Sequence, residues 1–285
     1  MRENIIKPLS GNFYKETKNK LLNLIEEKNL DGFLVTNPAN IFYFTGFFYV
    51  TNERPSGFYL SKNNISKLFI PLLEKENAEN LQVNEIHIYE EFPGETNPYT
   101  FMANTISEKK IGTDIKNTDI LNLIKNNFEE LNHKTGIEMF RYVKLDEEIN
   151  LIIEATKYAD LALEYLKEYA KEMINKNVSE RELVQICTEY AKNKMLNNIS
   201  KEFDETPCNV VATIHSGPRG AYPHGKSLSR VPNKNETLIC GVGACLGGVY
   251  AESGVTFILG EPNEDQKKII KVMKEVNDEV VNNLK

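Results

Sequence analysis

The chain has 285 residues, 41% of them hydrophobic and 26% charged, with a formal net charge of −7. That composition belongs to a folded globular protein of one large or two ordinary domains, and the acidic balance excludes a global basic footprint for nucleic acid. No apolar run approaches the ~20 residues of a membrane helix, and the N-terminus, MRENIIKPLSGNFYKE, shows no apolar signal segment, so the expectation is a cytoplasmic protein.

In chain order, residues 14–29 (YKETKNKLLNLIEEKN) carry Leu21, Leu22 and Ile25 at helical spacing and predict a helix. LDGFLVTNP then reads as a strand stopped by Asn37-Pro38. The aromatic cluster IFYFTGFFYV (41–50) follows, interrupted by Thr45 and Gly46. Strands are expected at 56–62, 66–73 and 85–92, another begins at Lys110–Thr113, and NTDILNLIKNNFEE (117–130) predicts a helix. Strands alternating with helices over 1–131 indicate a small α/β domain.

A long helix is predicted from about Asp146 to Asn175, with Ile149, Ile153, Thr156, Ala159, Leu163, Leu166, Ala170 and Met173 on one side. Ser179 with Glu182 fits a capping box that opens the next helix. After Met195 the pattern turns to strands: CNVVATI (208–214), a Gly/Pro loop, ETLICGVGA (236–244) and GGVYAESGVTFILG (247–260). Asn263 and Gln266 predict the cap of a last helix. Its stripe of Ile269, Met273, Val276, Val280 and Leu284 calls for a partner surface. The four cysteines, Cys187, Cys208, Cys240 and Cys245, form no CxxC pair and read as reduced structural thiols.

Two stretches carry candidate chemistry. The hairpin CGVGACLGGVYAES (240–253), drawn with its turn on Leu246-Gly247, sets Gly241 opposite Glu252. Facing Cβ atoms lie ~5 Å apart, and two acids there would suit a pair of metal ions ~3.5–4 Å apart. Only Glu252 is acidic, which leaves it open to three roles: ligand, general base or solvated strand residue. The GVGACLGG run leads into β-like sequence, whereas a dinucleotide loop opens a helix. The second stretch is the loop HSGPRGAYPHG (215–225), where His224 lies between Pro223 and Gly225. An imidazole suits acid–base work near neutral pH. His215 is a weaker candidate of the same kind, and His87 and His133 look incidental.

Taken together these segments resemble the creatinase and Xaa-Pro peptidase family, peptidase family M24, with its pita-bread catalytic domain. TNPANIFYFTGF (36–47) is similar to the signature of the family's N-terminal domain. EMFRYVKLDEEINLIIEATKYADLAL (138–163) resembles the linker and first catalytic helix, and VSERELVQ (178–185) the capped second helix. SGPRGAYPHG (216–225) resembles the PHG loop. LICGVGACLGGVYAESGVTFILGEP resembles the hairpin that reads DxGxxxxGYxxDxTRTxxxG in the family.

The resemblance implies an α/β (α+β) chain in which 1–135 is a creatinase-type N-terminal domain and 136–285 the first half of a pita-bread domain. It maps the family's substrate-contacting, proton-transferring histidine onto His224, its hairpin aspartates onto Gly241 and Glu252, and its Thr-Arg-Thr onto Gly254, Val255 and Thr256. Further ligands come, in metallopeptidases of the family, from strands past the position of the last helix here. These departures set an expectation of no cofactor, in place of the manganese, zinc or cobalt of metal-dependent relatives. The implied reaction is cleavage of a C–N bond in a small Xaa-Pro peptide. A creatine-like amidino substrate and a non-catalytic scaffold are the alternatives. His224 is then the proton shuttle and Glu252 an acid that orients substrate. Arg54 follows the N-terminal signature, and in creatinase-like dimers an arginine of the neighbouring N-terminal domain reaches the substrate carboxylate, which makes Arg54 a candidate for that contact beside the reading of a solvated loop charge.

Overall fold

Phe33, Leu34 and Val35 are all fully buried, which a strand achieves only when both faces of its sheet are covered. In the computed structural model, which describes residues 6–49, 53–79, 81–90, 94, 96–222 and 224–284, they lie on strand β1 (Gly32–Val35). The chain divides into two units, Lys7–Ile149 and a second that contains Asn150–Lys285.

In the first unit, helix α1 (Gly11–Glu27) starts earlier than its apolar spacing predicts, because the Ser10 side chain accepts from the backbone N–H groups of Asn12 and Phe13. Past β1 the sequence predicts only a stop, yet α2 (Pro38–Thr45) forms there. Asn37 caps it, Pro38 occupies its first turn and Gly46, at φ 77°, ends it. The remaining elements are β2 (Gly57–Ser61), β3 (Ser66–Pro71), β4 (Glu85–Tyr89), α3 (Pro98–Thr105), β5 (Lys110–Thr113), α4 (Thr118–Ile124) and β6 (Glu130–Asn132). The strand predicted over 85–92 ends at Tyr89, and residues 91 and 92 lie outside the described residues. The helix predicted over 117–130 stops at Ile124, because Glu130–Asn132 pair in parallel with β5.

The six strands run β4-β3-β2-β1-β5-β6. Alternate residues supply two cores. Phe33, Val35, Phe58, Leu60, Leu68 and Ile70 face α1 and α2. Leu34, Tyr59 and Phe69 face Met102 of α3 and Ile124 of α4.

The second unit is built on α5 (Asp146–Asn175) and α6 (Glu180–Asn198), with a three-stranded antiparallel sheet of β7 (Asn209–Ser216), β8 (Thr237–Leu246) and β9 (Val249–Ile258). On α5 the buried line runs through Leu151, Ala155, Ala159, Ala162, Leu166 and Ala170. Ile149 and Ile153 of the predicted stripe are instead exposed. The capping boxes of Ser179 with Glu182 and of Asn263 with Gln266 both form. The second opens α7 (Glu264–Asn283), none of whose residues is buried. Cys187, Cys240 and Cys245 are buried and all four cysteines are free thiols. Burial pushes the Cys187 thiol up to about 11.

The hairpin corrects one sequence expectation. Leu246 pairs with Val249, so the turn is Gly247-Gly248, at φ 59° and 79°, and Glu252 faces Gly243, while Gly241 faces Gly254. A tight hairpin turn with positive φ at both central residues suits two glycines and would strain a leucine. Gly241 and Glu252 are therefore diagonal neighbours on one face, not directly opposed.

Candidate active site

β7, β8 and β9 present unlike faces. One buries Val210, Ile214, Leu238, Cys240, Val242, Ala244 and Ala251, with α6 lying against β7. The other carries Val211, Thr213, Gly241, Gly243, Glu252 and Gly254, which line an open concavity of about 500 Å³. Glu252 is exposed and is the one carboxylate of that lining. The glycines around it are not demanded by packing. A Cβ added at Gly241 would lie 3.8 Å from Thr213 Oγ1, and one at Gly254 3.6 Å from the Cys240 carbonyl.

His215 follows Thr213 on the same face, since side chains alternate along a strand. It is buried because the loop after β7 folds over it. Its Nε2 lies 2.5 Å from the Gly225 carbonyl, which requires that nitrogen to carry the proton. Ser227 Oγ accepts from Ile214 N and donates to Ile214 O, latching the returning loop to the strand. His224, next to Gly225, is exposed. It shares a shallow concavity of about 520 Å³ with Arg219, Tyr222, Lys226 and Leu228. Pro223 lies outside the described residues. His224 and Glu252 thus belong to one unit, the first on a loop that covers the His215 end of the face that carries the second.

Beneath the loop lies Glu180, fully buried at the start of α6. Its carboxylate accepts from Ser216 N, Ser216 Oγ and Leu228 N and pairs with Arg219 Nε at 3.3 Å. Arg230 joins this group, donating to Ser216 Oγ and to Glu236. Sequence reasoning passed over Glu180 because Ser179 and Glu182 accounted for its surroundings.

Arg54 lies in the first unit, half-buried and paired with Glu53. The N-terminal signature that precedes it is architectural. Asp114 accepts from Thr36 N, Asn37 N and Asn40 Nδ2, and Asn40 Oδ1 accepts from Arg141 Nε, so the start of α2 is tied to the end of β5. His87 stacks on Phe69 and bonds Glu85, and His133 is exposed.

Residues 150–285 match metallopeptidase family M24, and residues 18–143 match the creatinase/prolidase N-terminal domain. The chain belongs to the creatinase and Xaa-Pro peptidase family. An Xaa-Pro dipeptidase of Pyrococcus furiosus is 27% identical over 276 residues, which are 94% of this chain and 71% of that protein. A prolidase from Thermococcus sibiricus superposes with a TM-score of 0.77 at 24% identity, covering 95% of this chain and 72% of the other. The N-terminal domain of the FACT complex subunit SPT16 from chickpea has a TM-score of 0.71 at 14% identity, over 96% of this chain and 72% of the other, a likeness of fold alone.

Membership in the M24 family corrects the expectation of no cofactor. The family that residues 150–285 match is one of metallopeptidases, and that match overturns it. The donor set does not by itself fit a metal. Among the described residues no group of three or more His, Cys, Asp or Glu is placed to hold one, and Glu252 faces glycine. Among the described residues no helix is long and apolar enough to cross a membrane.

Proposed function

We propose that this protein is a hydrolase of the Xaa-Pro peptidase type that cleaves the C–N bond of a small Xaa-Pro peptide. The observation that carries the reading is the likeness to a dipeptidase over 94% of the chain, through both units. The geometry agrees in kind. An open sheet face offers a carboxylate, Glu252, and a loop at its end offers an exposed imidazole, His224. An imidazole there moves a proton to the departing nitrogen, and a carboxylate on the sheet orients the peptide through its amino group. Support for a metal comes from the family and not from the donor set of this face.

The same reading takes the protein as a cytoplasmic homodimer in which Arg54 of one protomer meets the substrate carboxylate at its partner's site. The test is hydrolysis of an Xaa-Pro dipeptide panel by the purified chain, with manganese and with EDTA, alongside sedimentation to establish the oligomeric state. Turnover that EDTA removes, and that falls about 10²–10⁴-fold in His224→Ala, is expected. A folded sample that hydrolyses no dipeptide under any metal condition overturns the proposal.

A further inference from the structure

We infer that Glu180 is a positioning residue for His224, its buried carboxylate holding both ends of the loop that carries the imidazole. The inference rests on the reading of His224 as the proton-transferring group.

The loop from Gly217 to Leu228 buries none of its own described side chains. Such a segment opens easily unless polar contacts hold it. Here they converge on one carboxylate. Ser216, where the loop leaves β7, donates its N–H at 2.9 Å and its hydroxyl at 2.6 Å to Glu180 Oε1. Leu228, where the loop returns, donates its N–H at 3.1 Å to Oε2, the oxygen that also faces Arg219 Nε. Arg219 in turn donates to the Lys226 carbonyl across the loop. The backbone repeats the attachment. Glu180 N donates to Arg230 O at 2.9 Å and Arg181 N donates to Leu228 O at 3.0 Å, so the orphan donors of the first turn of α6 find acceptors in the loop's exit.

A buried carboxylate is costly unless its oxygens are fully satisfied, and an apolar residue would pack a helix end against a strand without that cost. What a carboxylate adds is direction: each oxygen sets the position of a different end of the same loop. The middle is set by His215, whose Nε2–H holds the carbonyl of Gly225, the neighbour of His224. A proton-transferring group gains from being held near its working position, and that support is built from groups behind it.

The four histidines make this measurable without turnover. Histidine labelled with ¹³C at the ring Cε1 gives each one a signal in the full-length chain, assigned by single His→Gln variants. In Glu180→Gln, one oxygen still accepts from Ser216 while the new NH2 opposes Leu228 N–H and Arg219. The expected result is that the His224 and His215 signals move or broaden, that amides of 217–228 exchange about tenfold faster, and that His87, His133 and the amides of β8 and β9 stay as they were. Arg219→Ala, a truncation on the loop itself, gives the same pattern more weakly and serves if the glutamine variant does not fold. In the dipeptide assay both variants lower kcat more than they raise KM. Unchanged His224 and loop signals in both variants overturn the inference. So does a change spread over all four histidines, which marks general loosening. A wild-type chain without turnover sinks the proposed reaction and leaves the spectroscopic arm to decide the positioning role.

Discussion

In the six-stranded sheet of the first unit, a Cβ at Gly32 would sit 2.1 Å from the Tyr59 hydroxyl, and one at Gly112 would sit 2.5 Å from the ring of Phe33. In the three-stranded sheet of the second, the nearest atom to a Cβ at Gly241 would be 3.8 Å away, and at Gly254 3.6 Å. The first pair of glycines is dictated by buried aromatic rings that cross their strands, since a close-packed interior leaves no room for another methyl group. The second pair answers to no neighbour. Glycines on the open face clear space around Glu252, and space around a lone carboxylate is a feature of the surface the sheet presents, not of how the sheet holds together. One sheet spends its glycines on packing and the other on an accessible face.

Three variants break or sharpen that contrast. Gly112→Ala is expected to cost about 1–3 kcal/mol by overpacking against Phe33 and Leu30, read as a lower urea midpoint by circular dichroism. An unmoved midpoint would show that the rings give way and that the contrast is illusory. A smaller effect is expected at the start of β1 in the same sheet, where Asp31 accepts from Lys62 Nζ at 2.8 Å and from Lys110 N at 3.0 Å. The Lys62 hydrogen bond, then the Lys110 backbone bond, hold its carboxyl below the usual range. A depressed folded value means stability that is present above the ordinary Asp value of ~3.9 and is lost as pH falls through the folded one. The gap between wild type and Asp31→Asn should therefore be open at pH 7 and close in acid, and a gap that persists at pH 2 argues for packing in place of charge. The smallest effect belongs to Gly241→Ala, expected within about 0.5 kcal/mol of wild type because its Cβ would meet only Thr213 Oγ1, at 3.8 Å. A cost comparable to that of Gly112→Ala would mean the open face is packed after all.

Features whose partners lie a few residues away were legible without a structure. The boxes of Ser179 with Glu182 and Asn263 with Gln266 need only three residues to close, and both formed. The hairpin turn is local too: positive φ at both central residues suits Gly247-Gly248 and excludes Leu246, a constraint that a symmetric pairing of the strands does not contain. The segment after Asn37-Pro38 shows no helical period in its sequence because its apolar residues bury on more than one side. The order of motifs along the chain was enough to place it in its family, as the matches to both units bear out.

The sequence by itself determined the capping boxes of the second unit, the alternation of strands and helices in the first, and the residue types that stand on the hairpin and the PHG loop. Only the tertiary structure decided which side of α5 is buried, that Glu130–Asn132 leave their helix to join β5, and that Glu180 answers to Ser216 and Leu228. The physical reason is separation along the chain. A cap is satisfied within one turn, but Glu180 lies 36 residues from one partner and 48 from the other, and Asp114 lies 77 from Asn37. Which polar groups meet over such distances depends on how the helices and sheets pack, and no local pattern encodes it.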